Sequence, residues 1–190
     1  MLTIGVLIAV PDPIGSELQA RRVSFGDDRA HGIPTHVTLL APTEVDEAAL
    51  DEVAAHLQRT SEKQRPFEVR LEGTGSFRPT SPVVFVQVRA GWTECERLQQ
   101  TIRQGHLRRP LPFAYYPHVT VAQHLGDASL DRAQAELGSY HARFEVKSFV
   151  LYVQGTDQVW RPARTFGFTA APAAPAAPAA PAELASGEAS

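Results

Sequence analysis

A chain of 190 residues, 43% hydrophobic and 21% charged, is long enough for one domain with a packed core. Its formal net charge of -3 argues against a surface that coats long nucleic acid, because such binding draws on a basic surplus. The single cysteine, Cys95, rules out an intramolecular disulfide and a multi-cysteine zinc site.

Residues 2–10 are apolar but lack the basic start and small-residue cleavage site of a signal peptide, and are too short to span a bilayer. They read as a buried strand ended by Pro11 and Pro13. With no export signal and no disulfide, the expected compartment is the cytoplasm, with no membrane partner. Residues 14–23 follow as a helix, and 35–41, rich in β-branched residues, as a strand. Thr43 is then expected to cap a helix, with Asp46 and Glu47 in its first turn. Val45, Ala49, Val53 and Leu57 recur at helical spacing behind it. Residues 67–73 and 83–90 read as strands around a turn-rich loop over 73–82. Residues 92–104 form a second long helix, which carries Cys95 as an incidental residue. Residues 103–110 are a basic connector. Residues 118–124 are a strand and 130–137 a short helix. Residues 144–154 and 159–169 read as a closing hairpin around Gly155, Thr156 and Asp157. From Ala170 to Ser190 proline recurs every third residue among alanines, which reads as a disordered or polyproline-like tail.

This is an α+β pattern, and it has the outline of a duplication. Each half holds a strand bearing His-Val-Thr, with the two histidines 82 positions apart. The segments are His36-Val37-Thr38-Leu39 and His118-Val119-Thr120-Val121. Side chains alternate faces along a strand, so each histidine shares a face with its threonine while the aliphatic pair faces the other way. The aliphatic pair suits a core beneath helices. The polar pair must meet a cleft or water, since unpaired buried polar groups are costly. If the two strands lie side by side, two imidazoles and two hydroxyls line one cleft.

That set suits phosphodiester cleavage. A base must take a proton from the attacking oxygen, and an acid must protonate the leaving oxygen. Histidine titrates near neutrality and can do either. Threonine hydroxyls can donate to the non-bridging phosphate oxygens where charge develops. Zinc is the alternative, but two histidines supply only two ligands and no carboxylate-bearing metal spacing stands beside them. No metal or cofactor is therefore assigned.

The paired H-x-T-x motifs resemble those of the 2H phosphoesterase superfamily, most closely its 2′-5′ RNA ligase-like, or RNA 2′,3′-cyclic phosphodiesterase, branch. Phe77 ahead of the strand at 83–88, the segment Tyr115-Tyr116-Pro117-His118, and the hairpin over 149–168 match that branch's flanking context. The resemblance covers residues 2–169 and excludes the tail at 170–190. It implies a bilobal, pseudo-symmetric fold with two antiparallel sheets around a central cleft and helices outside. It implies hydrolysis of 2′,3′-cyclic phosphates or 2′-5′ linkages of RNA ends or nucleotides, with reversible ligation in some members. His36 would then act as proton donor and His118 as base, with Thr38 and Thr120 holding the phosphate. Where that branch often carries arginine after the second motif, this chain has Gln123. Arg78 is a substitute cation from another direction. Phe77, Tyr115 and Tyr116 are candidate base-stacking residues. The expected partner is a small nucleotide or RNA end bound by a monomer. A nucleotide-binding module of the same fold without turnover is the alternative.

Overall fold

Ile4, Val6 and Ile8 alternate with Gly5 and Leu7 to make the first strand, β1 (Leu2–Ala9). Helix α1 (Ile14–Phe25) follows and stops at Gly26, whose φ of 96° lies in the left-handed region that glycine enters at no steric cost. The chain continues through β2 (His36–Val45), α2 (Leu50–Lys63), β3 (Phe67–Ser76), β4 (Val83–Ala90), α3 (Trp92–Ile102), β5 (His118–Gln123), α4 (Asp127–Glu136), β6 (His141–Val146), β7 (Ser148–Gln154) and β8 (Trp160–Gly167). The computed structural model describes residues 1–169, so the expected tail at 170–190 lies outside the described residues. Among those residues, no helix is long and apolar enough to cross a membrane.

The expectation of two separate sheets is corrected. All eight strands belong to one antiparallel sheet in the order β6-β3-β4-β5-β2-β1-β7-β8. Its two four-strand halves meet where β2 pairs with β5 at Val37 and Val119. The single strand expected over 144–154 is two strands. β6 pairs with β3 in one half, and β7 pairs with β1 in the other, with only Lys147 between them. Such a link requires the sheet to curl until its ends approach. The rings of Phe67, at the start of β3, and Phe168, just past β8, accordingly stack at 6.2 Å. The helix start near residue 43 also moves. β2 runs on to Val45, and Thr43 is buried opposite Ile4. The cap is Asp46, whose side chain accepts from the Ala48 N–H and starts a short 3-10 turn ahead of α2.

One face of the sheet packs under the helices. Val37 and Leu39 of β2, Val119 and Val121 of β5, and Val84, Val86 and Val88 of β4 join Leu57, Leu98 and Ile102 in one buried core. Burying a side chain such as Leu98 contributes roughly 1.5–3 kcal/mol. The helices are exchanged across the midline. α1, which precedes β2, packs on β5, and α3, which precedes β5, packs on β2. The opposite face holds its own smaller apolar floor, with Leu7 of β1, Phe85 of β4 and Tyr152 of β7 buried there.

Candidate active site

His36 opens β2 and His118 opens β5. Because Val37 and Val119 go into the core, both histidines and both threonines turn to the face away from the helices. Antiparallel register about the Val37–Val119 pair sets Thr120 across from His36 and Thr38 across from His118. The four predicted side chains therefore meet at the centre of the sheet, as a square with the histidines on one diagonal.

The two imidazoles are oriented in the same way. His36 Nδ1 lies 2.7 Å from the Pro34 carbonyl, and His118 Nδ1 lies 2.6 Å from the Tyr116 carbonyl. A carbonyl only accepts, so each Nδ1 carries the proton and each Nε2 is left for chemistry. In each motif the acceptor is two residues upstream, the geometry that X-Pro-x-His and x-Pro-His segments produce on entering a strand. Burial pushes the pKa of His36 down to about 4, opposed by the Pro34 carbonyl and assisted by the charges of Arg22 and His118. Burial also lowers the pKa of His118, opposed by the Tyr116 carbonyl. Each proton on the pair disfavours a second one.

The surroundings of the two histidines differ. Across the strand from His36 stands Ala9; across from His118 stands Gln87. Phe77 meets the His118 ring edge-on at 5.0 Å, and Phe85 lies tilted against it at 5.0 Å. Tyr116 packs on Phe85 at 5.4 Å and on Trp92 at 4.5 Å, and its hydroxyl donates to Gln87 Oε1 at 3.1 Å. Gln87 Nε2 in turn donates to the Thr74 carbonyl at 2.7 Å. His118 thus sits in an aromatic and amide frame that fixes its orientation. Gly75 makes room for that frame, since a Cβ there would come within 2.7 Å of the Phe85 ring.

Sequence reasoning singles out Phe77 and Tyr116, and both border His118. It misses Phe85, Gln87 and Trp92. The available signal is the alternation in β4, where Phe85 and Gln87 interrupt a run of valines on the non-core face. Tyr115 turns away from this group. Its hydroxyl donates to the Thr38 carbonyl at 3.0 Å, and its ring packs against the core near Cys95. Burial there raises its pKa and that of the Cys95 thiol, the latter to about 12. Gln123 closes β5 opposite Val83.

Arg78 lies on the α4 side. It pairs with Asp131 at 2.8 Å and Asp127 at 3.5 Å, and donates to Gln134 at 3.0 Å. Those carboxylates raise its pKa and consume its charge. Arg22 is buried and holds Asp27 at 2.8 Å. In the basic connector, Arg109 donates to the Glu44, His106 and Arg108 carbonyls. Among the described residues, no group of three or more His, Cys, Asp or Glu side chains is placed to hold a metal ion.

Two H-x-T-x strands joined at the centre of one curled antiparallel sheet define a two-histidine phosphoesterase class. The chain belongs to the 2′-5′ RNA ligase superfamily, whose family model matches residues 10–158. A Bacillus licheniformis protein with a provisional phosphoesterase name is 30% identical over 136 residues, 70% of this chain and 80% of that one. A Geobacillus kaustophilus protein, similarly named, is 27% identical over 164 residues, 85% of this chain and 94% of its own length. Among solved structures, TT0787 of Thermus thermophilus superposes with a TM-score of 0.66 at 20% identity, covering 88% of this chain and 98% of that one. E. coli LigT complexed with 3′-AMP superposes with a TM-score of 0.64 at 17% identity, covering 89% and 99%. These two structures share the fold.

The lowered pKa values make a pH prediction. If the two histidines act as acid and base, the productive form holds one proton, and its population peaks between the two values and falls on both sides. Both values lie below the usual 6.5 of histidine. The free enzyme's kcat/KM on a phosphodiester substrate is therefore expected to peak on the acid side of 6.5. A peak on the alkaline side of neutrality in a kcat/KM profile would contradict the depressed pair.

Proposed function

We propose that residues 1–169 form a metal-independent phosphodiesterase that opens the 2′,3′-cyclic phosphate of an RNA end or nucleotide. The observation that carries the reading is the matched pair of imidazoles, each held by an Nδ1–H to a carbonyl with Nε2 turned to the shared face. One neutral Nε2 takes a proton from a water as its oxygen attacks phosphorus. The other, protonated, gives its proton to the 3′ oxygen as the P–O3′ bond breaks. The product is a 2′-phosphate and a free 3′-hydroxyl, and the pair ends with its proton on the opposite member. Thr38 and Thr120 donate to the non-bridging oxygens, where negative charge grows. With the 5′-hydroxyl of a second ribose attacking phosphorus in place of water, the same forward steps join the ends through a 2′-5′ linkage, and their reverse cleaves it.

Membership of the superfamily supports phosphodiester hydrolysis or ligation. The structural neighbours were crystallised with 3′-AMP, ATP, NADP+ and phosphate, which supports a nucleotide as the ligand. Phe77 and Tyr116, beside His118, are the residues placed for a base or ribose. Tyr115 acts through Thr38 as a positioning residue, and Gln123 flanks the phosphate. The enzyme acts as a cytoplasmic monomer, since one chain supplies both motifs.

The test is turnover of a 2′,3′-cyclic mononucleotide and of a short RNA with a cyclic end, in EDTA. Formation of the 2′-phosphate is expected. Activity that disappears in EDTA and returns with zinc or manganese would remove the metal-independent mechanism. Gln123, where many relatives are expected to hold a cation, favours one second reading, a binding module without turnover. Binding of the cyclic nucleotide with no product after long incubation would establish it.

A further inference from the structure

A polar pocket of about 470 Å³ opens beside Gln87, between β3, β4 and the turn from α4 to β6. Gln87 links it to His118, since the two are cross-strand partners and Gln87 also holds the Tyr116 hydroxyl. Arg89 lies two residues further along the same face of β4, about 7 Å away, and lines the pocket with Ser139 and His141. Among the described residues Arg89 makes no hydrogen bond or ion pair, in contrast to Arg22 and Arg78, which are held by carboxylates. The pocket's one carboxylate, Glu72, faces Arg70 at 3.9 Å. The turn supplies Gly138, whose carbonyl stands over Gly73, and Gly73 has a φ of 64°. A side chain at Gly73 would narrow the pocket floor.

An unspent guanidinium, a hydroxyl and an imidazole around a polar cavity fit an oxyanion with several acceptors. The spacing from His118 is one that a single nucleoside bridges. We propose that this pocket binds a second phosphate of the substrate, on the 5′ side of the nucleoside whose cyclic phosphate lies between the histidines, with Arg89 as its counter-charge. The substrate is then an oligonucleotide end or a 5′-phosphorylated nucleotide in preference to a bare nucleoside cyclic phosphate. The inference rests on the cyclic phosphodiesterase reading for the position of the first phosphate.

Calorimetric titration of the full chain with adenosine 2′-monophosphate and adenosine 2′,5′-bisphosphate tests it. The wild type is expected to bind the bisphosphate at least about tenfold more tightly. Arg89→Ala should abolish that preference and Arg89→Lys should retain part of it, which separates charge loss from misfolding. Equal affinity for the two ligands, no binding of either, or a preference unchanged in Arg89→Ala would each overturn the pocket. A protein that hydrolyses cyclic phosphates yet binds both ligands alike keeps its catalytic reading and loses this one. A protein that prefers the bisphosphate through Arg89 but never turns over does the reverse.

Discussion

Replacing His36 or His118 with alanine is expected to lower hydrolysis of a 2′,3′-cyclic phosphate by at least about a hundredfold, because each would remove one member of the proposed acid/base pair. The fold should survive. Both side chains are only half-buried on the non-core face, and the strands are held by Val37, Leu39, Val119 and Val121. The double variant should fall little further than either single one, since residues that act as a unit lose their effect together. Steady-state rates with far-ultraviolet circular dichroism on each variant provide the check. A single variant that keeps most of its rate while folded would show that the reaction runs through other groups. A double variant whose losses multiply would show that the histidines act independently.

The buried pair Arg22–Asp27 governs the second large effect. Both side chains are 2% exposed, and Asp27 Oδ2 accepts from Arg22 Nε and Nη2 at 3.2 and 2.8 Å. The pair spans the end of α1, closing the turn at Gly26 ahead of the loop that leads to His36. Removing one partner leaves a charge in a place water hardly reaches. Asp27→Asn is therefore expected to cost about 3–5 kcal/mol, read as a lower urea midpoint. Replacing both residues with apolar ones of similar size should recover much of that loss. A loss below about 1 kcal/mol in Asp27→Asn would mean that water or another acceptor solvates Arg22. Asp27→Asn also tests the link to catalysis, because the charge of Arg22 helps to lower the pKa of His36.

The two His-Val-Thr segments are legible in the sequence because a strand's twofold alternation places histidine with threonine and valine with the core in any sheet. Helix α3 is legible through its helical periodicity, α1 through the prolines and glycine that bound it, and β4 through its β-branched run. The frame around His118 is not legible. Phe85 and Gln87 come from a strand about thirty residues upstream, and only the register of β4 on β5 brings them to the histidine. Arg78 reads as a free cation because its partners, Asp127 and Asp131, lie on a helix some fifty residues on. The stretch from Phe144 to Gln154 reads as continuous β sequence. Its division at Lys147 follows from the curl of the sheet, which no local pattern encodes. Thr43 loses to Asp46 as the cap because β2 gains pairing with β1 by continuing to Val45.

The exchange of α1 and α3 across the midline has a consequence for how the chain assembles. Neither His-Val-Thr strand is roofed by the helix that leads into it; each waits for a helix from the other half. A fragment that stops before α3 would leave β2 without the helix that packs on it, whereas β5 also meets α4, which follows it. The first motif strand is therefore completed only when the second half has supplied α3. Most of the decisive contacts join residues far apart in the chain, and such topologies fold slowly. The arrangement also ties competence to completeness: a nascent chain has no half-built cleft until α3 and β5 have both been made.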